Sequence, residues 1–296
     1  ALACLGQLRE HIREANKIGG LCDAIALALA GLSHLTTLGL AKNALGTHGG
    51  TIALASALAK LAVAQAALRP ADVSVDTLAS GLSQLSLAQA APPPCHAAGQ
   101  AAGAPIAPET PRRIAGLCLA HNAINAEGME DLAPVLGRLH CFGTLNLNEN
   151  DIGVAGAAAL APVLPRLTSL IDLRLAGCHV LSTGAAALAP GLATLTQLRV
   201  LNMGDNGVGA EGMAAVAPAI ARLSRLQALD LSLNNFGDAG AAALATALPR
   251  LRGVTRLVIS SCAIDVKGTI ALAPGLGSMA CMEHLFISLY ALGPEG

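Results

Sequence analysis

Residues 142–156 read FGTLNLNENDIGVAG, and the order of side chains in this stretch decides what the chain can fold into. Phe142, Leu145 and Leu147 are spaced three and then two apart. Side chains two apart share one face of an extended strand, so Leu145 and Leu147 point to one side and Thr144, Asn146 and Asn148 to the other. Outward from this segment the same order returns every 28 residues without a slip. The anchor row is Leu117, Leu145, Leu173, Leu201, Leu229, Leu257 and Leu285; two residues later run Leu119, Leu147, Leu175, Met203, Leu231, Ile259 and Ile287. Three residues before the anchor come Ile114, Phe142, Leu170, Leu198, Leu226, Val254 and Met282. One short strand per repeat is expected, with the seven anchors in one continuous parallel sheet.

A polar row follows five residues after the anchor: Asn122, Asn150, Cys178, Asn206, Asn234, Cys262 and Tyr290. It is bracketed by apolar positions, so it is expected to be buried. A buried amide or thiol there can satisfy the backbone where the chain bends away from the strand. Next come a glycine row, Gly128 to Gly296, and apolar residues at helical spacing such as Leu160, Leu164 and Leu167. Each repeat therefore reads as strand, turn and helix.

The pattern L-x-x-L-x-L-x-x-N/C-x-I, followed by G-x-x-x-L-A-x-x-L, resembles the ribonuclease-inhibitor class of leucine-rich repeats. It covers Ile114 to Gly296 and returns at Leu35, Leu38, Leu40, Asn43, Leu45, Gly49, Leu54, Leu58 and Leu61. The resemblance implies an α/β solenoid, a horseshoe with parallel strands on the concave face and helices on the convex face. Similar arrays occur in NOD-like receptors, Ran GTPase-activating proteins and scaffold subunits of cilia and other assemblies, and the repeat does not choose among them.

The 296 residues divide on this reading into a degenerate N-terminal repeat or cap (1–34), irregular leading repeats (35–87), an Ala/Pro/Gly-rich insertion (88–112) and the regular array (113–296), truncated at its C-terminal end. Leu82, Leu85 and Leu87 resemble one more strand. The insertion holds Pro92, Pro93, Pro94, Pro105, Pro108 and Pro111, which oppose both helix and ladder; it reads as an irregular convex loop, either a poorly ordered insertion or a partner-binding loop. Pro134, Pro162, Pro190, Pro218 and Pro274 recur within the helical segments. Interior proline costs about 3 kcal/mol, so the helices are expected to start late, with proline in the first turn, or to break there. Arg138, Arg166, Arg222 and Arg250 fall near helix C-termini, where a cation offsets the terminal dipole.

Composition narrows the function. Hydrophobic side chains make up 53% of the chain and aromatics 1%, with a formal net charge of −1. That balance argues against a nucleic-acid backbone or a polybasic membrane surface as partner. Mean hydropathy is +0.58, yet no apolar run approaches the roughly 20 residues that span a bilayer, so no membrane insertion is expected. Arg9, Glu10, Arg13 and Glu14 interrupt the N-terminal segment, and no signal peptide is read there. Eight cysteines without paired spacing suit reduced thiols and an intracellular, cytoplasmic setting, cytoskeletal or organellar assemblies included. Cys178 and Cys262 lie three repeats apart, too far for a disulfide. Cys118, His121 and Glu149 have ligand chemistry, but three scattered groups on an open face read as ordinary surface residues. No catalytic, cofactor or metal site is expected.

What remains is a binding scaffold that holds another protein, within a multi-subunit assembly. The alternatives are a GTPase-activating protein resembling the Ran regulator and the ligand-sensing domain of a NOD-like receptor. The candidate partner-binding residues face outward from the strands: Asn146, Asn148, Asp172, Arg174, Asn202, Asp230, Ser232, Arg256 and Phe286. Asp172, Arg174, Asn202 and Asp230 are expected to form a hydrogen-bonding patch across neighbouring strands, with a more apolar end at Phe286. Asp172 and Asp230 are read as exposed. The helical edge is the competing surface.

Overall fold

The computed structural model describes residues 37–41, 50–52, 54–56, 58–59, 116–139 and 142–289. Among the described residues eight parallel strands run in chain order: β1 (Thr37–Gly39), β2 (Gly116–Cys118), β3 (Thr144–Asn146), β4 (Asp172–Arg174), β5 (Val200–Asn202), β6 (Ala228–Asp230), β7 (Arg256–Ile264) and β8 (His284–Leu289). Between them lie α1 (Ala126–Leu136), α2 (Gly153–Leu160), α3 (Leu181–Leu192), α4 (Gly209–Ile220), α5 (Gly237–Ala247) and α6 (Val266–Gly277). The anchor leucines pair in register, Leu38 with Leu117 and onward through Leu145, Leu173, Leu201, Leu229 and Leu257 to Leu285. The expected single sheet is thus present, and its order makes every strand the neighbour of the next. The sheet passes directly from β1 to β2. The strand expected at Leu82–Leu87, the cap at 1–34, the insertion at 88–112, and Tyr290 and Gly296 lie outside the described residues.

The core is a slab between the inner sheet face and the helices. Leu145, Leu147, Ile152, Leu160, Leu164, Leu167 and Leu170 of one repeat are all buried to within 1%, and each stacks on its equivalents before and after. Helices approach closely through the glycine row. A Cβ at Gly212 would lie 2.9 Å from the Cα of Ser182 in the preceding helix, a contact no side chain could enter without moving the backbone.

The polar row forms a ladder. Asn206 Oδ1 accepts from the backbone N–H groups of Cys178 (3.1 Å) and Val180 (3.2 Å), while its Nδ2 donates to the carbonyls of Leu175, Met203 and Gly204 (2.7–3.0 Å). Asn122, Asn150 and Asn234 donate in the same way, and Asn150 and Asn234 likewise accept from the preceding repeat. The two N–H groups converge on one oxygen because Gly177, His179 and Leu181 adopt left-handed φ values of 62°, 52° and 57°. Alternating hands turn successive amides toward the same side, as in an anion-binding nest. At the cysteine repeats the thiol donates instead: Cys178 Sγ to Leu147 O at 3.2 Å, and Cys262 Sγ to Leu231 O at 3.2 Å. Burial pushes the Cys178 thiol up to about 12, against a smaller lowering by the Asn150 N–H, with the charge of Glu149 adding to the rise. Burial likewise pushes Cys262 up to about 11. Both stay protonated donors, and both are free thiols.

The helices do not start late. Pro134, Pro190, Pro218 and Pro274 sit inside α1, α3, α4 and α6 close to their C-terminal ends, while Pro162 follows α2, which stops at Leu160. The residues four positions earlier, Glu130, Ala186, Ala214 and Ile270, are exposed. The carbonyl that loses its partner is therefore on the water side of the helix, where helix curvature already tilts carbonyls outward and water can take the place of the missing N–H. Arg166 and Arg250 end short 3₁₀ turns, while Arg138 and Arg222 lie two residues beyond α1 and α4.

Candidate functional site

Strand pleating puts two outward side chains on every three-residue strand, and the parallel register lines them up. One row runs Thr144, Asp172, Val200, Ala228, Arg256, His284; the second runs Cys118, Asn146, Arg174, Asn202, Asp230, Val258, Phe286. Asn148 and Ser232 belong to a third row, two residues beyond the second. At roughly 4.8 Å per strand the face is about 34 Å wide from β1 to β8.

In the second row, Asn146, Asn202 and Asp230 have a backbone duty. The N–H two residues further on is leaving the ladder and needs an acceptor. Asn146 Oδ1 takes that of Asn148 (3.0 Å), Asn202 Oδ1 that of Gly204 (2.9 Å), and Asp230 Oδ1 that of Ser232 (3.0 Å) together with the Ser232 hydroxyl (2.6 Å). Arg174 cannot accept, and there the N–H of Ala176 turns to Asn148 Oδ1 of the preceding repeat (2.8 Å). The N-x-N, N-x-G and D-x-S spacings were the sequence signal for these local bonds, and the repeat reading passed over it. Among the described residues, the Nδ2 groups of Asn146, Asn148 and Asn202 and Oδ2 of Asp230 carry no hydrogen bond.

Asp172 and Arg174 come together within β4. Arg174 Nε donates to both carboxylate oxygens (3.0 and 3.1 Å) and Nη2 to Oδ2 (2.9 Å). Burial disfavours the guanidinium charge, but the Asp172 hydrogen bond and charge, with a smaller contribution from Cys118, outweigh it and hold the Arg174 pKa above the ordinary value. Asp172 is only 14% exposed against 38% for Arg174, and Asp230 is likewise half-buried, which corrects the expectation that both are exposed. Asn202 and Asp230 sit on the two following strands in register with Arg174. The side-chain bonds they make close within their own repeats, whereas the Ala176 N–H to Asn148 Oδ1 bond crosses from one repeat to the next. Beside Asp172, the hydroxyl of Thr144 is buried without a partner.

Toward β8 the chemistry changes. The Arg256 guanidinium carbon lies 4.7 Å from the centroid of the Phe286 ring, and His284 stacks on the same ring at 6.5 Å. Phe286 is 44% exposed. Cys118 is half-buried while His121 and Glu149 are exposed, and among the described residues no three His, Cys, Asp or Glu side chains are grouped to hold a metal. Among the same residues no helix is long and apolar enough to cross a membrane.

The leucine-rich repeat family model matches residues 140–161, 194–217 and 224–245. No curated protein matches the chain. Among solved structures, an internalin from Listeria monocytogenes is similar at 17% identity and a TM-score of 0.32, over 60% of this chain. The chain spans 62% of the length of that internalin. The continuous parallel sheet, the helices packed behind it and the matched repeats together make the fold an α/β leucine-rich repeat solenoid.

Proposed function

We propose that the protein is a non-catalytic protein–protein interaction scaffold, a subunit or domain of a larger intracellular assembly, which holds another protein against its concave sheet face. The repeats are read as the 28-residue ribonuclease-inhibitor type, a reading supported by the in-register anchors and the Asn/Cys ladder. The observation that carries the functional reading is the outward display on a rigid sheet: Asn146, Asn148, Asn202 and Asp230 each keep an unused hydrogen-bonding atom after their backbone duty is met. Fixed, partly desolvated polar groups on a curved sheet are what extended solenoid binding surfaces offer a protein partner. A formal net charge of −1 supports a protein rather than nucleic acid as partner. Cys178 and Cys262 are free thiols, which fits a reducing compartment.

The test places one arginine on each face. Asn202→Arg should abolish retention of co-purifying proteins from the native cells, and Ala186→Arg, on the exposed side of α3, should leave it intact. Loss with Ala186→Arg and retention with Asn202→Arg would move the interface to the helices.

A further inference from the structure

Four charged side chains, Asp172, Arg174, Asp230 and Arg256, stand on β4, β6 and β7 of the concave rows, and they are not equivalent. Asp172 and Arg174 cancel through three hydrogen bonds. Asp230 and Arg256 have no ion-pair partner among the described residues. Asp230 spends Oδ1 on Ser232 and leaves Oδ2 unbonded. Arg256 is on the next strand, paired opposite Ala228. From the strand spacing and rise, the Cα atoms of Asp230 and Arg256 are about 8 Å apart, within reach of an arginine side chain. It turns the other way, onto the Phe286 ring.

Each group is shaped for a different ligand atom. Around Gly204, Ser232 Oγ, Asn202 Oδ1 and Asp230 Oδ1 all lie within 3.1–3.4 Å of the point where a Cβ would stand. The missing side chain lets three oxygens draw together beside the free carboxylate oxygen, an acceptor-rich spot suited to the three donors of an ammonium group. With its guanidinium carbon over the Phe286 ring, Arg256 makes no side-chain hydrogen bond among the described residues, and its N–H groups are available to take a carboxylate in two parallel bonds.

We propose that Asp230 and Arg256 are a matched pair of docking charges. They take a partner-protein segment that presents a lysine side chain to Asp230, Asn202 and Ser232 and an acidic side chain to Arg256, one strand apart. The proposal rests on the concave-face reading and adds the partner's charge pattern to it.

The experiment selects a phage-displayed random dodecapeptide library on the full chain and measures the recovered peptides against variants whose folding is checked by thermal melting. Wild type should enrich peptides carrying both a basic and an acidic residue. Asp230→Asn, which preserves the Ser232 bonds, and Arg256→Gln should each weaken them by about tenfold or more. The double variant Asp230→Lys with Arg256→Glu should lose these peptides and recover versions whose two charges are exchanged. If affinity changes by less than roughly twofold in both single variants while Asn148→Arg abolishes it, the concave surface stands and the docking charges are overturned. If none of these variants changes binding, or no peptide is enriched, both readings fail.

Discussion

Asn148 and Asn150 stand two residues apart in the same turn, and the structure uses them in opposite ways. Asn150 is 2% exposed and spends its whole amide on the backbone, accepting from Asn122 and Ile124 and donating to Leu119, Leu147 and Asn148. Asn148 is half-buried, accepts once from Ala176 and keeps Nδ2 free. Residue type alone does not separate structural from available polar groups on a solenoid. The number of backbone groups left behind when a side chain is removed does separate them. The ladder row should govern stability, and the outward row should govern recognition.

The largest effect is expected at the ladder. Asn206→Ala leaves two N–H groups and three carbonyls without their side-chain partner, and should cost about 4 kcal/mol in denaturant unfolding. Asn206→Cys should fall at about half that, because a thiol still donates, as at Cys178 and Cys262. A cost below about 1 kcal/mol for the alanine variant would erase the distinction between the rows.

The two cysteine rungs make the ladder's contribution depend on pH. Their thiols are raised to about 12 and about 11 in the fold, against about 8.5 in an unfolded chain. Below pH 8.5 both states are protonated and the stabilisation is fully present. As pH rises toward the folded values the unfolded chain ionises first, and stability is lost. Cys178→Asn removes one such group and restores an acceptor for the Asn150 N–H. Melting temperatures of this variant and wild type should diverge between pH 9 and 11, in favour of the variant. Parallel curves would show that the Cys178 thiol is not held protonated.

The smallest effect belongs to Asn148 on the outward face. Asn148→Ala removes one acceptor, that of the half-buried Ala176 N–H, and should cost about 1 kcal/mol or less in the same unfolding assay. A loss matching that of Asn206→Ala would make both rows structural. By contrast, Asp172→Arg should be clearly destabilising, since it leaves Arg174 with a like charge in place of its carboxylate.

The fold was legible because the repeat states it many times. An unslipped anchor row, with an alternating partner two residues on, leaves one strand register open, and the ladder follows from burying an amide between apolar neighbours. The prolines were misread because helix propensity treats all interior positions alike, whereas Pro134 and Pro218 lose their bond on the exposed side. At the candidate site, the outward positions of Asn146, Asn202 and Asp230 came directly from strand alternation. Which of their atoms remain free did not, because that depends on amides leaving the ladder two residues later. The Arg256 and Phe286 contact joins side chains a repeat apart in sequence, and no local pattern distinguishes it from Arg174, which folds back on its own strand.

Site-specific photo-crosslinking in the native cells shows which face meets a partner. With benzoylphenylalanine at Asn202 and, separately, at Ala186, a discrete covalent adduct with another protein is expected from Asn202 and none from Ala186. An adduct from Ala186 with none from Asn202 would contradict the concave interface.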